Sequence, residues 1–295
     1  EELDAGTAIR SPDFFYPVNS VDFPYEDQRI ENQEIRGSRQ AMSSQPGVVE
    51  GSGTFSGLIY PSGAMGLILK ALFGKVESDE IGVSSGAYLH EFSDTTSGSL
   101  PSLTLERADA FGSEGGIFAE RLAGAKIESM QIECPFGDLV THTTTVQAIK
   151  KPMLVSPASR PLTSPWPTAR ALTFTGASIK IGGTLNSTFS NLSIEFNNTL
   201  ERQNALNGTN ESTDIMEGSL TCNVTGSAMF KTLDLRQKLE ASDEFVVEVG
   251  MSNNVIADAG SSAKEGLKFI WPKATLTSVG LPMQAGEVIT SDVSF

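Results

Sequence analysis

Apolar and polar residues alternate along most of the chain, which is the pattern of strands that have one buried face. The clearest alternation runs from Ala125 to Cys134, where Glu128, Gln131 and Glu133 fall on the solvent side. A Pro-Phe-Gly-Asp turn follows, and the threonine-rich segment 139–149 then alternates in the same way. The two segments are predicted to form a β-hairpin.

One stretch combines a strand with a helix, and it occurs twice. From Glu50 to Gly74, alternating residues lead through a tight turn into an apolar helix predicted at Gly63–Phe73. From Glu217 to Leu239 the same order returns. Both stretches begin Glu-Gly-Ser and reach an Ala-Met pair, and the second helix is predicted to begin at that pair, at Ala228. A repeat of this length predicts a tandem duplication of one module.

The repeated order predicts a mainly β protein made of two fused β-sandwich or barrel modules, each with one flanking α-helix. Each half contains a long polar loop, at Pro24–Pro46 and at Asn197–Met216, and loops of this length are usually functional or disordered. Residues 111–123 are predicted to form a loop with some helical character. The predicted division is an N-terminal arm at 1–17, a first module at 18–150, a proline-rich linker at 151–169 and a second module at 170–295.

The net charge is −15, and the acidic excess is concentrated in the first half of the chain. Residues 1–150 contain 22 acidic and 10 basic side chains, whereas residues 151–295 contain 14 and 11. This argues against tight nucleic-acid binding, which needs Lys and Arg to neutralise phosphates. Two interpretations stay open: charge that keeps the protein soluble, or a surface that repels DNA or RNA so that it can slide past.

No group of residues in the sequence is typical of catalysis. His90 and His142 lie in alternating segments and are predicted to be partly exposed strand residues. Cys134 and Cys222 lack metal-ligand spacing and are predicted to be small apolar strand residues. A glycosidase could use two of the many carboxylates, but sugar-cleaving clefts are usually lined with aromatic rings, and the chain has only two tryptophans. The sequence predicts a protein that is not an enzyme and uses no cofactor or metal. It also predicts no membrane anchoring, because no apolar run reaches the length of a span.

Four stretches together resemble the major tail tube proteins of long-tailed bacteriophages, in their larger class: the first polar loop, EGSGTFSGLIYPSGAMGLILKALFG, the pair YLHEF and LPSLTLERA, and AKIESMQIE. The resemblance implies a β-sandwich or barrel-like fold with a helix on its flank. It implies rings whose inner strands form a continuous β-barrel lumen, stacked into a tube that conducts the genome to the host. The protein would be made in the cytoplasm of the bacterial host and would end in the virion tail.

The resemblance also implies partners and contact residues. The partners would be further copies of the chain, the tape measure protein, tail terminator and distal tail proteins, and DNA in transient, non-specific passage. In this family a loop after an early strand reaches the neighbouring ring, which implies inter-ring contacts by Tyr25, Arg29, Glu31, Glu34, Arg36, Arg39, Glu201 and Arg202. The strands at 125–133 and 141–145, with 192–196 and 246–249 as weaker candidates, would line the lumen. The candidate lumen-facing side chains are Glu128, Gln131, Glu133 and Thr143.

The duplication implies a stoichiometry. A single-copy tube protein resembles one that forms hexameric rings, so two fused copies imply a ring of three chains with pseudo-sixfold symmetry. A hexamer is the second expectation. Two other classes stay open: a related ring protein of a secretion system or a tail terminator, and a carbohydrate-binding β-sandwich adhesin.

Overall fold

The structure is a computed structural model that describes residues 7, 14–25, 27–32, 34, 43–81, 87–94, 98–111, 116–155, 169–186, 188–229, 234–256, 264–280 and 290–295. Strands make up 62% of it and helical turns 9%, which confirms the prediction of a mainly β protein. The described strands are β1 (Ser20–Asp22), β2 (Asp27–Ile30), β3 (Gln45–Val49), β4 (Gly51–Leu58), β5 (Gly74–Glu80), β6 (Tyr88–Asp94), β7 (Leu103–Phe111), β8 (Gly116–Pro135), β9 (Thr141–Ala148), β10 (Met153–Val155), β11 (Ser178–Ile181), β12 (Thr184–Asn186), β13 (Phe189–Gln203), β14 (Asp214–Met229), β15 (Phe245–Ile256), β16 (Lys264–Ala274), β17 (Ser278–Val279) and β18 (Thr290–Ser294). The described α-helices are α1 (Gly63–Phe73) and α2 (Asp234–Ala241).

Eight strands follow one another across the main sheet, and each pairs antiparallel with its neighbours. Their order is β1-β4-β9-β8-β13-β14-β18-β17. Strands β7 and β10 also pair with β8, along its first part. A second sheet has the order β12-β11-β15-β16, and the described strands also include two hairpins, β2–β3 and β5–β6.

The core lies between the main sheet, helix α1 and the second sheet. Phe196 of β13 contacts Phe73 at the end of α1, with 5.2 Å between ring centroids, and Phe269 of β16, with 5.4 Å. One contiguous cluster of buried side chains includes Leu69 of α1, Ile194 of β13 and Phe269. The three layers therefore share one core, and both halves of the chain contribute to it.

Helix α1 forms over the predicted range because its apolar residues recur at helical spacing and face the core. It ends at Gly74, whose φ of 91° lies in the region that favours glycine. The buried amide of Asn198 in β13 donates hydrogen bonds to the carbonyls of Leu72 and Ile127, each at 3.0 Å. A carbonyl that the helix end leaves without a helical partner is thus satisfied by the second half of the chain.

The second helix does not begin where the sequence predicts it. Ala228 and Met229 end β14, and Ala228 pairs with Phe189 of β13 on one side and Ser291 of β18 on the other. Because strands flank this position on both edges, the Ala-Met pair cannot start a helix, and α2 begins at Asp234.

Two predicted loops are shorter than expected. Residues 116–123 belong to β8, where pairing with β7 continues the strand, so the predicted loop with helical character at 111–123 is wrong over this part. In the second polar loop, β13 extends to Gln203 and β14 starts at Asp214, which leaves only 204–213 between the strands. The first polar loop contains β2 and the first two residues of β3, which pair with each other.

The order of pairing is the same in the two halves of the main sheet. In the first half, β1 pairs with β4, β4 with β9 and β9 with β8. In the second half, β13 pairs with β14, β14 with β18 and β18 with β17. If the four strands of each set are numbered by their order along the chain, they lie side by side in the order first, second, fourth, third. Strand β13 lies beside β8, so that the second set continues the first. The duplication itself and the predicted domain boundaries stay predictions.

Candidate functional site

One face of the main sheet is polar across all eight strands. Because side chains alternate between the faces of a strand, the pairing register decides which residues share this face. Ser20, Ser56, Thr143, Gln131, Glu195 and Asn223 form one row across six neighbouring strands. We call the surface that these rows build the polar face. Its members are Ser20, Asp22, Thr54, Ser56, Ser129, Gln131, Glu133, Thr141, Thr143, Thr145, Asn191, Ser193, Glu195, Asn197, Thr221, Asn223, Thr225, Ser227, Ser278, Asp292 and Ser294.

The charged members of the polar face are all acidic. They are Asp22, Glu133, Glu195 and Asp292, and its other members are hydroxyl or amide side chains. Among the described residues, the nearest cation on β8 is Lys126, which lies beyond a bulge and is 2% exposed. The opposite face of the same strands carries the buried core. The polar face is therefore an acidic, amide- and hydroxyl-bearing surface without an exposed cation among its members, and its rows end on the apolar residues Leu58, Pro135 and Met229 at the ends of β4, β8 and β14.

Three of the four candidate lumen residues lie exposed on the polar face. Gln131 donates hydrogen bonds to Glu133 and to Ser193, both at 3.2 Å, and Thr143 pairs with Gln131. Glu128 differs, because it lies at the bulge of β8, is only partly exposed and accepts a hydrogen bond from the Gln147 amide at 2.8 Å.

Of the four candidate lumen strands, three contribute to the polar face. The segments 125–133, 141–145 and 192–196 lie in β8, β9 and β13 of the main sheet. The segment 246–249 does not, because it belongs to β15 of the second sheet, where Val247 and Val249 are fully buried. The sequence pattern could not separate the two sheets, since both contain alternating strands.

A buried ion pair joins the two halves beside the polar face. The Lys126 ammonium on β8 lies 2.5 Å from Glu217 Oε1 on β14 and donates a hydrogen bond to the Ile215 carbonyl at 2.7 Å. Glu217 also accepts hydrogen bonds from the Ser99 hydroxyl at 2.8 Å and the Leu100 N–H at 2.9 Å. Burial acts to raise the pKa of Glu217, but these bonds and the Lys126 charge outweigh burial and lower the pKa below its usual value. Sequence reasoning did not single out this pair.

Arg202 makes a second contact between the halves. From β13 its guanidinium donates to the carbonyl of Ala148 at the end of β9, at 2.9 Å, and to the carbonyl of Gly51 at the start of β4. Burial lowers its pKa, and the nearby carboxylates of Glu50 and Glu128 oppose that shift. Arg202 therefore uses two of its donors inside its own chain, and its contact with a neighbouring ring stays a prediction.

The loop 204–213 also contacts the first half of its own chain. Glu211 accepts a hydrogen bond from Lys150 at 2.8 Å, and the Asn210 carbonyl accepts one from the Val49 N–H at 2.8 Å. Of the remaining residues predicted to contact the next ring, Tyr25, Arg29, Glu31, Glu34 and Glu201 are exposed. Arg36 and Arg39 lie outside the described residues.

The histidines have different environments. His90 is exposed and makes a 2.7 Å hydrogen bond with Ser78. His142 is 1% exposed, so the prediction of a partly exposed residue is wrong for it. It lies under the rings of Tyr16 and Phe55, and burial lowers its pKa to about 4. Each ring hydrogen-bonds a hydroxyl, that of Ser78 for His90 and that of Thr144 at 3.0 Å for His142, but among the described residues neither ring hydrogen-bonds a carboxylate that would orient it as a catalytic base.

A family model described as phage tail tube protein matches residues 1–294 of the chain. The chain belongs to the phage tail tube protein family. It is therefore a structural component of the virion tail, and the family implies assembly with further copies into a tube and contact with other tail proteins. Members of this structural family are not normally enzymes. A search of curated proteins found no match.

Within the described ranges, no cluster of three or more His, Cys, Asp or Glu side chains could hold a metal ion. None of the described helices is long and apolar enough to cross a membrane. For this tail tube chain, the polar face and the contacts that join its two halves are the features on which a function can be argued.

Proposed function

We propose that three copies of this chain close into a ring, that rings stack into the tail tube, and that the polar face lines the lumen through which DNA passes. The observation that carries the proposal is the polar face itself. DNA carries one negative charge per about 1.7 Å of its axis, and exposed Lys or Arg on a wall would bind it. A wall of hydroxyl, amide and carboxylate groups offers the phosphates no cation and lets the duplex move.

The two edges of the main sheet support ring closure. Among the described strands, β1 pairs only with β4 and β17 pairs only with β18. Sheet edges of this kind invite pairing with another chain, and closing a ring removes them. Because each chain supplies two sets of four strands in the same order, three chains give six sets. This supports a trimer with pseudo-sixfold symmetry, with a hexamer as the alternative.

The proposal extends to the ends and the stacking of the tube. Exposed side chains of the first polar loop, including Tyr25, Glu31 and Glu34, would contact the neighbouring ring. Such exposed pairs are worth about 0–1 kcal/mol each, but every ring repeats them. Synthesis in the host cytoplasm and contacts with the tape measure, terminator and distal tail proteins complete the proposed role.

The accessibility of a cysteine on the polar face tests the proposal. Thr143→Cys places a thiol on the polar face, and Glu91→Cys places one on the exposed strand β6, outside it. In the unassembled chain, a maleimide carrying a bulky polymer should label both. In assembled tubes it should label only Glu91→Cys, whereas a small maleimide should reach both. Wild-type protein corrects for reaction at the native cysteines. Equal labelling of Thr143→Cys by the bulky reagent in tubes and in free chains would place this face outside.

Electron micrographs of tubes from concentrated protein test the stoichiometry. Rotational averaging should give threefold symmetry with pseudo-sixfold features, and mass photometry of small rings should give three chains. True sixfold symmetry from six chains would refute the trimer.

A further inference from the structure

The first strands of the two halves match residue by residue. Ser20-Val21-Asp22-Phe23 corresponds to Ser193-Ile194-Glu195-Phe196, and each is followed six residues after its phenylalanine by an arginine, Arg29 or Arg202. The pairing agrees: Ser20 lies opposite Ser56 as Ser193 lies opposite Thr225, and Arg29 lies opposite Pro46 as Arg202 lies opposite Ile215. Each pairing also contains a one-residue register shift before the arginine, between Asp27 and Arg29 in the first half and, two positions earlier in the correspondence, between Asn198 and Leu200 in the second.

Aromatic residues four positions before Ser20 and Ser193 make contacts that support the same correspondence. A Cβ added at Gly57 would meet the Tyr16 ring at 3.2 Å, and one added at Gly226 would meet the Phe189 ring at 2.9 Å. The Tyr16 ring therefore packs over Gly57, one residue after Ser56, and the Phe189 ring packs over Gly226, one residue after Thr225. Such close packing of backbone and ring requires glycine. The two hairpins are equivalent in sequence, register and packing.

What differs is the neighbour on the outer edge of each first strand. Strand β13 pairs with β8 of the first half over Ser129–Pro135, and Arg202 reaches past β8 to Gly51 and Ala148. Strand β1 has no strand in this position among the described residues. The strand equivalent to β8 in the second half is β17, since β17 pairs with β18 as β8 pairs with β9.

We infer that the boundary between two chains reproduces the boundary between the two halves of one chain, with β1 of one copy pairing against β17 of a second copy and Arg29 in the place of Arg202. This rests on the proposed ring. Inside the chain, Ile132 of β8 lies opposite Ile194 of β13. Val279 is the counterpart of Ile132 and Val21 is the counterpart of Ile194, so the inferred pairing sets Val21 opposite Val279 and Asp22 opposite Ser278 on the polar face. In the second copy, Leu220 occupies the position in β14 that Gly51 occupies in β4, and Arg29 would donate a hydrogen bond to the Leu220 carbonyl.

The burial of the two edges is consistent with this partner. Val21 and Val279 are only partly buried against the core, whereas their internal counterparts Ile194 and Ile132 are 0% exposed. Pairing of β1 with β17 would cover both valines and would continue the polar face from one copy to the next. Arg29 thereby moves from a contact between rings to a contact within a ring.

Mixed single-cysteine variants test the register. Chains with Val21→Cys are mixed with chains with Val279→Cys, assembled and oxidised, so that a disulfide can only join two chains. Directly opposite strand residues have Cβ atoms about 4.5–5.5 Å apart, close enough to link after a small shift. A disulfide-linked dimer is expected in the assembled mixture and not in the unassembled one. The control mixes Asp22→Cys with Val279→Cys, which lie on opposite faces and should not link. Wild-type protein shows the background from native cysteines.

Alanine variants test the arginines. Arg202→Ala should lower the stability of the single chain against urea. Arg29 donates a long, exposed hydrogen bond to Ser44 at 3.4 Å, so Arg29→Ala should cost the single chain less stability than Arg202→Ala does. It should raise the protein concentration needed for assembly about tenfold, as the loss of about 1.4 kcal/mol at an interface does, while Arg236→Ala on helix α2 should not change that concentration. Normal tubes from Arg29→Ala, or tubes of the mixed cysteine variants without the Val21–Val279 link, would overturn the inference and leave the proposed tube intact. Wild-type protein that forms neither rings nor tubes would instead overturn the proposed function.

Discussion

The ion pair between Lys126 and Glu217 predicts that loss of a single carboxylate strongly destabilises the folded chain. The perturbation is Glu217→Ala. The Lys126 side chain is 3% exposed, and without Glu217 its ammonium keeps the Ile215 carbonyl, the Ser99 hydroxyl at 3.3 Å and a distant carboxylate, Asp214, at 3.9 Å. The Leu100 N–H loses its acceptor, and the Ser99 hydroxyl keeps only a weak bond to the Leu100 carbonyl at 3.4 Å.

The magnitude follows from the burial of the pair. Removing one partner of a buried ion pair costs about 3–5 kcal/mol, because the other charge stays buried without compensation. The Glu217 side chain is 24% exposed, so water can reach the site, and we expect the lower end, about 3 kcal/mol in the free energy of unfolding. At about 2 °C per kcal/mol for a large domain, this lowers the melting temperature by about 6 °C.

The assay is urea unfolding of the unassembled chain, followed by circular dichroism. A matched control is Glu77→Ala, since the pair Lys75–Glu77 is equally short at 2.6 Å but its side chains are 55% and 64% exposed. That control should show no measurable change. A loss below about 1 kcal/mol for Glu217→Ala would refute the reasoning.

A double-mutant cycle isolates the pair. Lys126→Met removes the buried charge, so the combination with Glu217→Gln should cost less than the sum of the two single changes. The pH dependence gives an independent sign. Because the pKa of Glu217 is lowered in the folded chain, its contribution is present above the unfolded value of 4.5 and is lost as the pH falls through the folded value. The advantage of wild-type protein over Glu217→Gln should therefore shrink below pH 4.5. Additive single losses would contradict the coupling.

Three further substitutions follow from single sites. Burial lowers the pKa of His142 from 6.5 to about 4, so between these values the unfolded chain binds a proton that the folded chain does not. As the pH falls from 7 to 4, the free energy of unfolding of wild-type protein should therefore decrease by about 3 kcal/mol more than that of His142→Gln. Equal decreases for the two proteins in urea unfolding would refute this. Asn198→Ala leaves two buried carbonyls without a donor and should cost about 1–3 kcal/mol by the same assay, whereas an unchanged midpoint would contradict it. Gly176→Ala would drive its Cβ into the backbone carbonyl of Ser252, so the variant should melt below wild-type protein, and an unchanged melting temperature would contradict this expectation.

The sequence predicted the elements whose pattern is local. Helix α1 has its apolar residues at helical spacing, and the hairpin from Ala125 onward alternates cleanly, so both could be placed from the chain alone. The first part of β8 could not, because Ala119, Leu122, Ala123 and Ala125 are all buried, and the neighbouring Leu122 and Ala123 belong to opposite faces of the strand. A segment covered on both faces loses the period of two by which a strand is recognised.

The repeat in the sequence does not predict where the second helix starts, because strand pairing over long distances decides it. The Ala-Met pairs suggested that the two helices begin alike, but Ala228 is held by strands on both edges and the helix starts later. The correspondence that the structure supports lies elsewhere, in the first strands and in Arg29 and Arg202. That spacing is visible in the sequence, yet only the pairing register supports the inference that Arg29 and Arg202 hold corresponding positions.

The polar face illustrates why composition could not locate the candidate lumen. The chain has 36 acidic residues, and only four of them lie on this face, so the net charge of −15 does not identify it. Alternation tells which residues share a side of one strand, but a slip of one residue between strands exchanges the two sides. The pairing of β8 with β13 and of β14 with β18 joins segments far apart in the chain and fixes which sides coincide. The absence of exposed cations among its members is what supports the proposed lumen, and that property belongs to the folded sheet and not to the composition of the chain.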